Sequence, residues 1–176
     1  GLVTFGGKEP KALPPTQGRA GLVGLLAALR GEPDAVTHQE RLGATSLGNG
    51  IARVGSLARQ RSLVVLVSDF RGSQDWRPPL LELAGRHDVI AVEIRDPREQ
   101  ELSNGGLLWL VDPETGRQLR VDTRSRRLRQ RFAAAAEAER GQVARTLGAT
   151  GVRHVVLSTS GDWLRVLVAF LRRSRP

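Results

Sequence analysis

The run SLVVLVSDF at residues 62–70 decides the fold class of this chain. Residues 63–67 are all aliphatic, which is too continuous a run for a strand with one face in water. The pattern predicts a strand of a parallel sheet that helices cover on both faces. The run ends on Ser68 and Asp69. An ionised carboxylate in that position needs a cation, a positively charged partner or water.

Strand and helix patterns alternate along the rest of the chain. Strands are predicted at residues 1–5, 88–95, 107–111, 118–122 and 153–158, with an antiparallel return at 11–15. Helical patterns cover residues 22–29, 46–61, about 73–86, 128–147 and 163–171. This spacing is typical of βαβ units. The sequence predicts one α/β domain over residues 1–176, with a doubly wound, mostly parallel sheet and a β-hairpin inserted before the long helix.

The composition excludes several classes of protein. The chain has 176 residues, a mass of 19.1 kDa and no Cys, so it can form neither a disulfide framework nor a cysteine zinc site. The net charge of +9 raises the question of a nucleic-acid partner, with basic runs at 124–131 and 172–175. Aromatic residues make up only 4%, too few to stack bases, so no specific nucleic-acid site is expected. No apolar run is long enough to span a bilayer.

Polar residues follow the strand at the edge where ligands bind in open α/β sheets. Three interpretations of Asp69 stay open at this point. It can be a magnesium ligand, a phosphoryl-accepting or general-base carboxylate, or an Asp that accepts backbone N–H groups in the turn after the strand. Thr45 and Ser46, at the predicted start of a helix, can reach the same edge or act as N-cap residues.

Catalytic signatures are lacking. The three histidines, His38, His87 and His154, are scattered along the chain, and the last two precede or begin strands rather than end them. No candidate base for Ser68 is apparent, and no G-x-S-x-G, Walker or G-x-G-x-x-G motif occurs. The sequence therefore predicts a protein that is not an enzyme.

An ordered set of segments resembles one bacterial family. The set comprises GLVTFGGKEPKALPPTQGRAGLVGLLAALR, ATSL, RSLVVLVSDF, RHDVIAVEIRDPREQEL, a DPETG hairpin and a terminal LST…W…F run. Together they are similar to the von Willebrand factor A-like proteins of domain-of-unknown-function family 58. The similarity covers essentially the whole chain, and the most specific part is SDF followed by HDVIAVEIRDPRE.

The resemblance implies a Rossmann-like von Willebrand A fold with a metal-ion-dependent adhesion site. In the family this site combines a D-x-S-x-S loop after the first strand, a Thr from a second loop and an Asp after the fourth strand. Thr45 and Asp69 match the last two elements, with Ser46 and Ser68 beside them. The D-x-S-x-S loop and its central strand would precede residue 1, so the resemblance implies an amino-terminally truncated domain whose magnesium site is incomplete. An open strand edge then predicts strand exchange or dimerisation.

The same resemblance implies a protein-interaction module. Family members are thought to act with MoxR-type AAA+ ATPases in protein assembly or maturation, and their amino-terminal parts often carry transmembrane helices. A location in the cytoplasm or at the inner face of the membrane is therefore expected. Two other functions stay open, an Asp-dependent phosphoryl-transfer or hydrolytic enzyme and a basic binder of nucleic acid or anionic lipid.

Overall fold

A three-stranded parallel sheet forms the centre of the larger part of the fold. The computed structural model describes residues 1–6, 11–31, 46–111 and 118–173. The sheet has the order β3-β4-β7, with β3 at Leu63–Ser68, β4 at Asp88–Arg95 and β7 at Arg153–Ser158. Both pairs of strands are parallel. The α/β class with a mostly parallel sheet is confirmed.

The remaining elements follow the predicted order. Strands β1 (Leu2–Thr4) and β2 (Lys11–Leu13) pair antiparallel, and β5 (Leu107–Val111) and β6 (Gln118–Asp122) form a second two-stranded sheet. The helices are α1 (Gly18–Arg30), α2 (Leu47–Leu57), α3 (Arg77–Arg86), α4 (Arg126–Ala149) and α5 (Trp163–Arg173), with a 3-10 turn at Pro97–Glu99. Helix α2 ends four residues earlier than predicted.

The chain divides into two compact units. One comprises residues 1–60, 75–83 and 111–118, and the other comprises residues 61–74, 84–110 and 119–176. The second unit contains the parallel sheet together with α4 and α5. The described helices include none long and apolar enough to cross a membrane.

One face of the sheet carries a hydrophobic cluster of the second unit. Ile94 of β4 and two residues of α5 pack against four buried strand residues, which are Ile90, Val92, Val155 and Leu157. The α5 residues are Leu167 and Phe170, spaced three apart on one side of the helix. Burying these side chains is the dominant favourable term in holding α5 on the sheet.

The prediction that β3 is covered on both faces is wrong for one face within the described residues. Leu63, Val65 and Val67 are 60%, 51% and 54% exposed. They share the face of Ile90 and Val92, since their register partners on β4 include both residues. Helix α5 covers β4 and β7 on this face but leaves the edge strand open. A continuous apolar run indicates a high propensity to form a strand. Whether other elements cover both faces of that strand depends on tertiary packing, which the run does not determine.

Candidate functional site

The turn after β3 holds Asp69 in a fixed geometry. Ser68 Oγ accepts the Phe70 N–H at 3.1 Å, and Asp69 Oδ1 accepts the Arg71 N–H at 3.3 Å. Phe70 adopts a positive φ of 54°, which is uncommon for a residue with a bulky side chain, and its ring is 1% exposed. The buried ring and the two local hydrogen bonds together hold the turn in place.

The carboxylate of Asp69 stays exposed at the end of the strand. Its Oδ1 also lies 3.4 Å from Ser68 Oγ, a weak contact. Within the part of the chain that the structure describes, no hydrogen bond involves its Oδ2. Oδ1 therefore accepts a backbone N–H in the turn, as the turn interpretation of Asp69 predicted, while Oδ2 remains open to a ligand.

Arg71 ties this turn to two other elements. Its guanidinium binds Glu99 of the 3-10 turn at 3.1 Å and Glu139 of α4 at 3.3 Å. Burial opposes the charged form, but Glu139 first and Glu99 next raise the pKa of Arg71 above its ordinary value. Among the described residues, no hydrogen bond joins this guanidinium to the Asp69 side chain, although the charge of Asp69 also helps to raise the pKa of Arg71.

A buried carboxylate lies on the central strand beside this turn. Glu93 of β4 is 2% exposed and stands next to Ser68 of β3 in the parallel register. Its Oε1 accepts from Arg95 Nε at 2.5 Å, and its Oε2 lies 2.8 Å from His154 Nε2. Burial alone would raise the pKa of Glu93, but the hydrogen bonds to His154 and Arg95 outweigh it and lower the pKa.

A small cavity separates the buried carboxylate from α4. Its volume is about 30 Å³, enough for one or two water molecules and far below that of a metabolite pocket. The lining includes Asp69, Arg71, Glu93, Arg95, Glu139 and Arg140. The site is a charged rim with a water-sized recess rather than a substrate cleft.

The structure describes Ser46 but not Thr45, the other residue predicted to lie near the metal site. Thr45 lies outside the described residues. Ser46 is the N-cap of α2, where its Oγ accepts the Asn49 N–H at 3.2 Å, as the capping interpretation predicted. Across residues 1–6, 11–31, 46–111 and 118–173, no three His, Cys, Asp or Glu side chains group closely enough to hold a metal ion. The described ligands therefore do not make a complete site, and the prediction of magnesium binding stays untested.

Glu93, Arg95 and His154 were not predicted as site residues. A signal was present, because Glu93 interrupts the apolar run VIAVEI and His154 precedes the apolar run VVL. An acid inside a buried strand requires a positive partner nearby. Arg95 lies two residues after Glu93 on the same strand, so the alternation of the strand indicates this partner, whereas the contact with His154 depends on the register between β4 and β7, which the sequence does not specify.

Comparisons with known proteins support the resemblance to domain-of-unknown-function family 58. A family profile described as "Protein of unknown function DUF58" matches residues 1–142. The chain is 41% identical over 119 residues to uncharacterized protein MAV169 of Mycobacterium avium. The same identity and length hold for uncharacterized proteins Mb1516 of Mycobacterium bovis and Rv1480 of Mycobacterium tuberculosis.

The matched part covers 66% of this chain in each comparison, 69% of the M. avium protein and 37% of the other two. The chain therefore spans well under half the length of the longer relatives. No solved structure matches. Because the family profile covers most of its length, the chain belongs to the DUF58 family of proteins of unknown function.

Proposed function

We propose that this chain is part of a non-enzymatic protein-interaction module in which Asp69 binds a partner through a shared divalent cation. The observation that carries the proposal is the open Oδ2 of Asp69, held at a strand end by a turn that Phe70 and Ser68 fix. A carboxylate fixed before binding loses little conformational entropy when a cation or partner arrives.

The cation in this proposal is magnesium, and Asp69 is one of several ligands. Magnesium takes hard oxygen ligands in near-octahedral geometry and gives up its water reluctantly. Asp69 and Thr45 alone are too few, so the remaining ligands come from the D-x-S-x-S loop that the von Willebrand A resemblance implies. A carboxylate of the partner protein completes the coordination and makes binding depend on the metal ion.

A MoxR-type AAA+ ATPase is the proposed functional partner, in the cytoplasm or at the inner face of the membrane. This part of the proposal follows from the family resemblance. The position two residues after Asp69 carries Arg71 instead of a second acid. A phosphoryl-transfer site with paired acids is therefore disfavoured.

Calorimetric titration with magnesium tests the proposal. The protein used is a longer polypeptide that includes both this chain and the family's D-x-S-x-S segment. We expect saturable magnesium binding that Asp69→Ala abolishes, because the substitution removes the only charged ligand in the described turn.

Asp122→Ala is the matched control. Asp122 ends β6 and accepts the Arg124 N–H at 3.0 Å, the same local turn bond that Asp69 makes. Loss of that bond costs a similar amount of turn stability without touching the proposed site. Magnesium binding that survives Asp69→Ala, or that is lost equally in Asp122→Ala, contradicts the metal role.

A further inference from the structure

Arg71 joins the turn after β3 to two elements that are distant along the chain. Its Nη1 donates to Glu99 Oε2 at 3.1 Å, and its Nη2 donates to Glu139 Oε2 at 3.3 Å. These acids lie 28 and 68 residues away from Arg71. Both ion pairs therefore exist only while the 3-10 turn and α4 keep their places beside the turn.

A third carboxylate is within reach of the same guanidinium. Asp69 Oδ1 accepts the backbone N–H of Arg71, so the carboxylate lies at the base of the Arg71 side chain. The recess described above is lined by all four charged side chains, Asp69, Arg71, Glu99 and Glu139. The charge of Asp69 already acts on the guanidinium without a hydrogen bond between them. Rotation of the long Arg71 side chain, with no movement of the backbone, would bring its N–H groups onto Oδ2.

The two arrangements of Arg71 differ little in free energy. The side chains of Arg71, Glu99 and Glu139 are 43%, 57% and 41% exposed, so water screens both present ion pairs and each contributes little. A contact between Arg71 and Asp69 joins residues only two apart, and closing so short a loop orders little of the chain. The present arrangement offers two carboxylates against one, so it is favoured while both acids stay in reach.

Glu139 lies on the less firmly anchored part of α4. The buried residues of this helix are Val143 and Leu147, and both follow Glu139 along the chain. The first turn contains no acid, and its arginines oppose the partial positive charge of the helix end. The part of α4 up to Glu139 is therefore the part that is easier to displace, and its displacement carries Glu139 away from Arg71.

We propose that Arg71 is a two-position switch for Asp69. Paired with Glu99 and Glu139, it leaves Asp69 Oδ2 open, as in this structure. Released from these acids when α4 moves, it pairs with Asp69 and closes that carboxylate to other ligands. The switch couples α4 to the end of β3, because the side chain leaves one position when it takes the other.

This inference deepens the proposed function and rests on it for the role of the open carboxylate. In the closed position a guanidinium replaces the cation, so the chain itself inhibits metal-dependent binding. The rearrangement of Arg71 needs no metal ion, however. One arm of the test is therefore run with a chelator and the other with magnesium.

The chelated arm measures the coupling between Asp69 and Arg71 in the 176-residue chain. Asp69→Asn keeps the acceptor for the backbone N–H but removes the charge, and Arg71→Gln removes the cation. A double-mutant cycle by urea denaturation gives their coupling as a factor in the unfolding equilibrium. This factor should be at least three times larger when Glu99→Ala and Glu139→Ala are both present, because the guanidinium then turns to Asp69.

The magnesium arm uses calorimetry on the longer polypeptide that includes the D-x-S-x-S segment. The combined Glu99→Ala and Glu139→Ala substitutions should weaken magnesium binding at least tenfold, because Arg71 then competes for Asp69. In an Arg71→Gln background the same pair should weaken it threefold or less, the screened effect of two lost negative charges. Glu137→Ala is the control, since it removes an exposed acid from the same helix, and it should leave both readouts unchanged.

The outcomes separate the switch from the metal role. A coupling factor that does not rise in the chelated arm overturns the switch, and so does magnesium binding that weakens equally in the wild-type and Arg71→Gln backgrounds. A coupling factor that rises in a protein whose Asp69 binds no magnesium supports the switch and overturns the proposed function. Circular dichroism on every variant checks that the fold is retained.

Discussion

Glu93 is the residue whose environment departs most from what its sequence position suggests. It places a carboxylate in the middle of the sheet, 2% exposed, with one oxygen on Arg95 and the other near His154. Desolvating a charge costs several kcal/mol, and here both oxygens regain a hydrogen-bond partner. The stability of the fold should therefore be sensitive to the loss of either Glu93 or its hydrogen-bond partners.

Replacing Glu93 with Gln should lower the free energy of unfolding by about 1.5–3 kcal/mol, because it removes the buried charge that accepts hydrogen bonds from the partly exposed Arg95 and from His154. Urea denaturation measures the change. Glu137→Gln on the exposed side of α4 is the control and should shift stability by less than about 0.5 kcal/mol. A loss of stability no larger than in the control contradicts this description of Glu93.

The same carboxylate makes stability depend on pH. The pKa of Glu93 is lowered in the folded protein, so its contribution is complete above the ordinary pKa, about 4.3, and is lost as the pH falls below that value. The stability difference between wild type and Glu93→Gln should therefore be present in full just above that pH and shrink as the pH falls below it. A difference that grows on acidification would mean that the pKa is raised instead.

At the scale of elements, the strands were the most predictable part. Residues 88–95 form β4 and residues 153–158 form β7, each over the predicted bounds. Both segments are rich in β-branched residues, which strongly favour strands. Helix α1 was predicted from Leu22, Leu25, Leu26 and Leu29, and it forms. None of its residues is buried, however. Periodicity predicts which face of a helix is apolar but not whether anything covers it.

Helix α4 begins with an unfavourable distribution of charge. Its N-cap, Ser125, accepts the Leu128 N–H, but the first turn carries arginines and no acid. The amino-terminal end of a helix has a partial positive charge, so cations there are destabilising. The basic run at residues 124–131 thus reduces the stability of α4.

Arg127→Glu in this first turn should raise the free energy of unfolding by about 0.5–1 kcal/mol, because it replaces a repelled cation with an attracted anion. Arg145→Glu, near the other end of α4, should lower it slightly, since the partial charge there is negative. Thermal unfolding at low salt measures both changes. Equal shifts of the same sign would show that net charge, rather than helix position, is responsible.

At the scale of the whole molecule, the sequence predicted the α/β class and the position of Asp69 at a strand end. It predicted neither the division into two compact units nor the Glu93 cluster. The division into units and the contact between Glu93 and His154 both depend on elements far apart along the chain. Local pattern determines which elements form, and long-range packing determines how they group.

In the proposed function, Asp69 is the group that receives a cation at the end of β3. Paramagnetic broadening of backbone amide signals by Mn²⁺, in the longer polypeptide that includes the D-x-S-x-S segment, tests this most directly. Broadening should centre on residues 68–71 in wild type and disappear there in Asp69→Ala, while Asp122→Ala behaves as wild type. Broadening centred elsewhere, or unchanged in Asp69→Ala, would contradict the account.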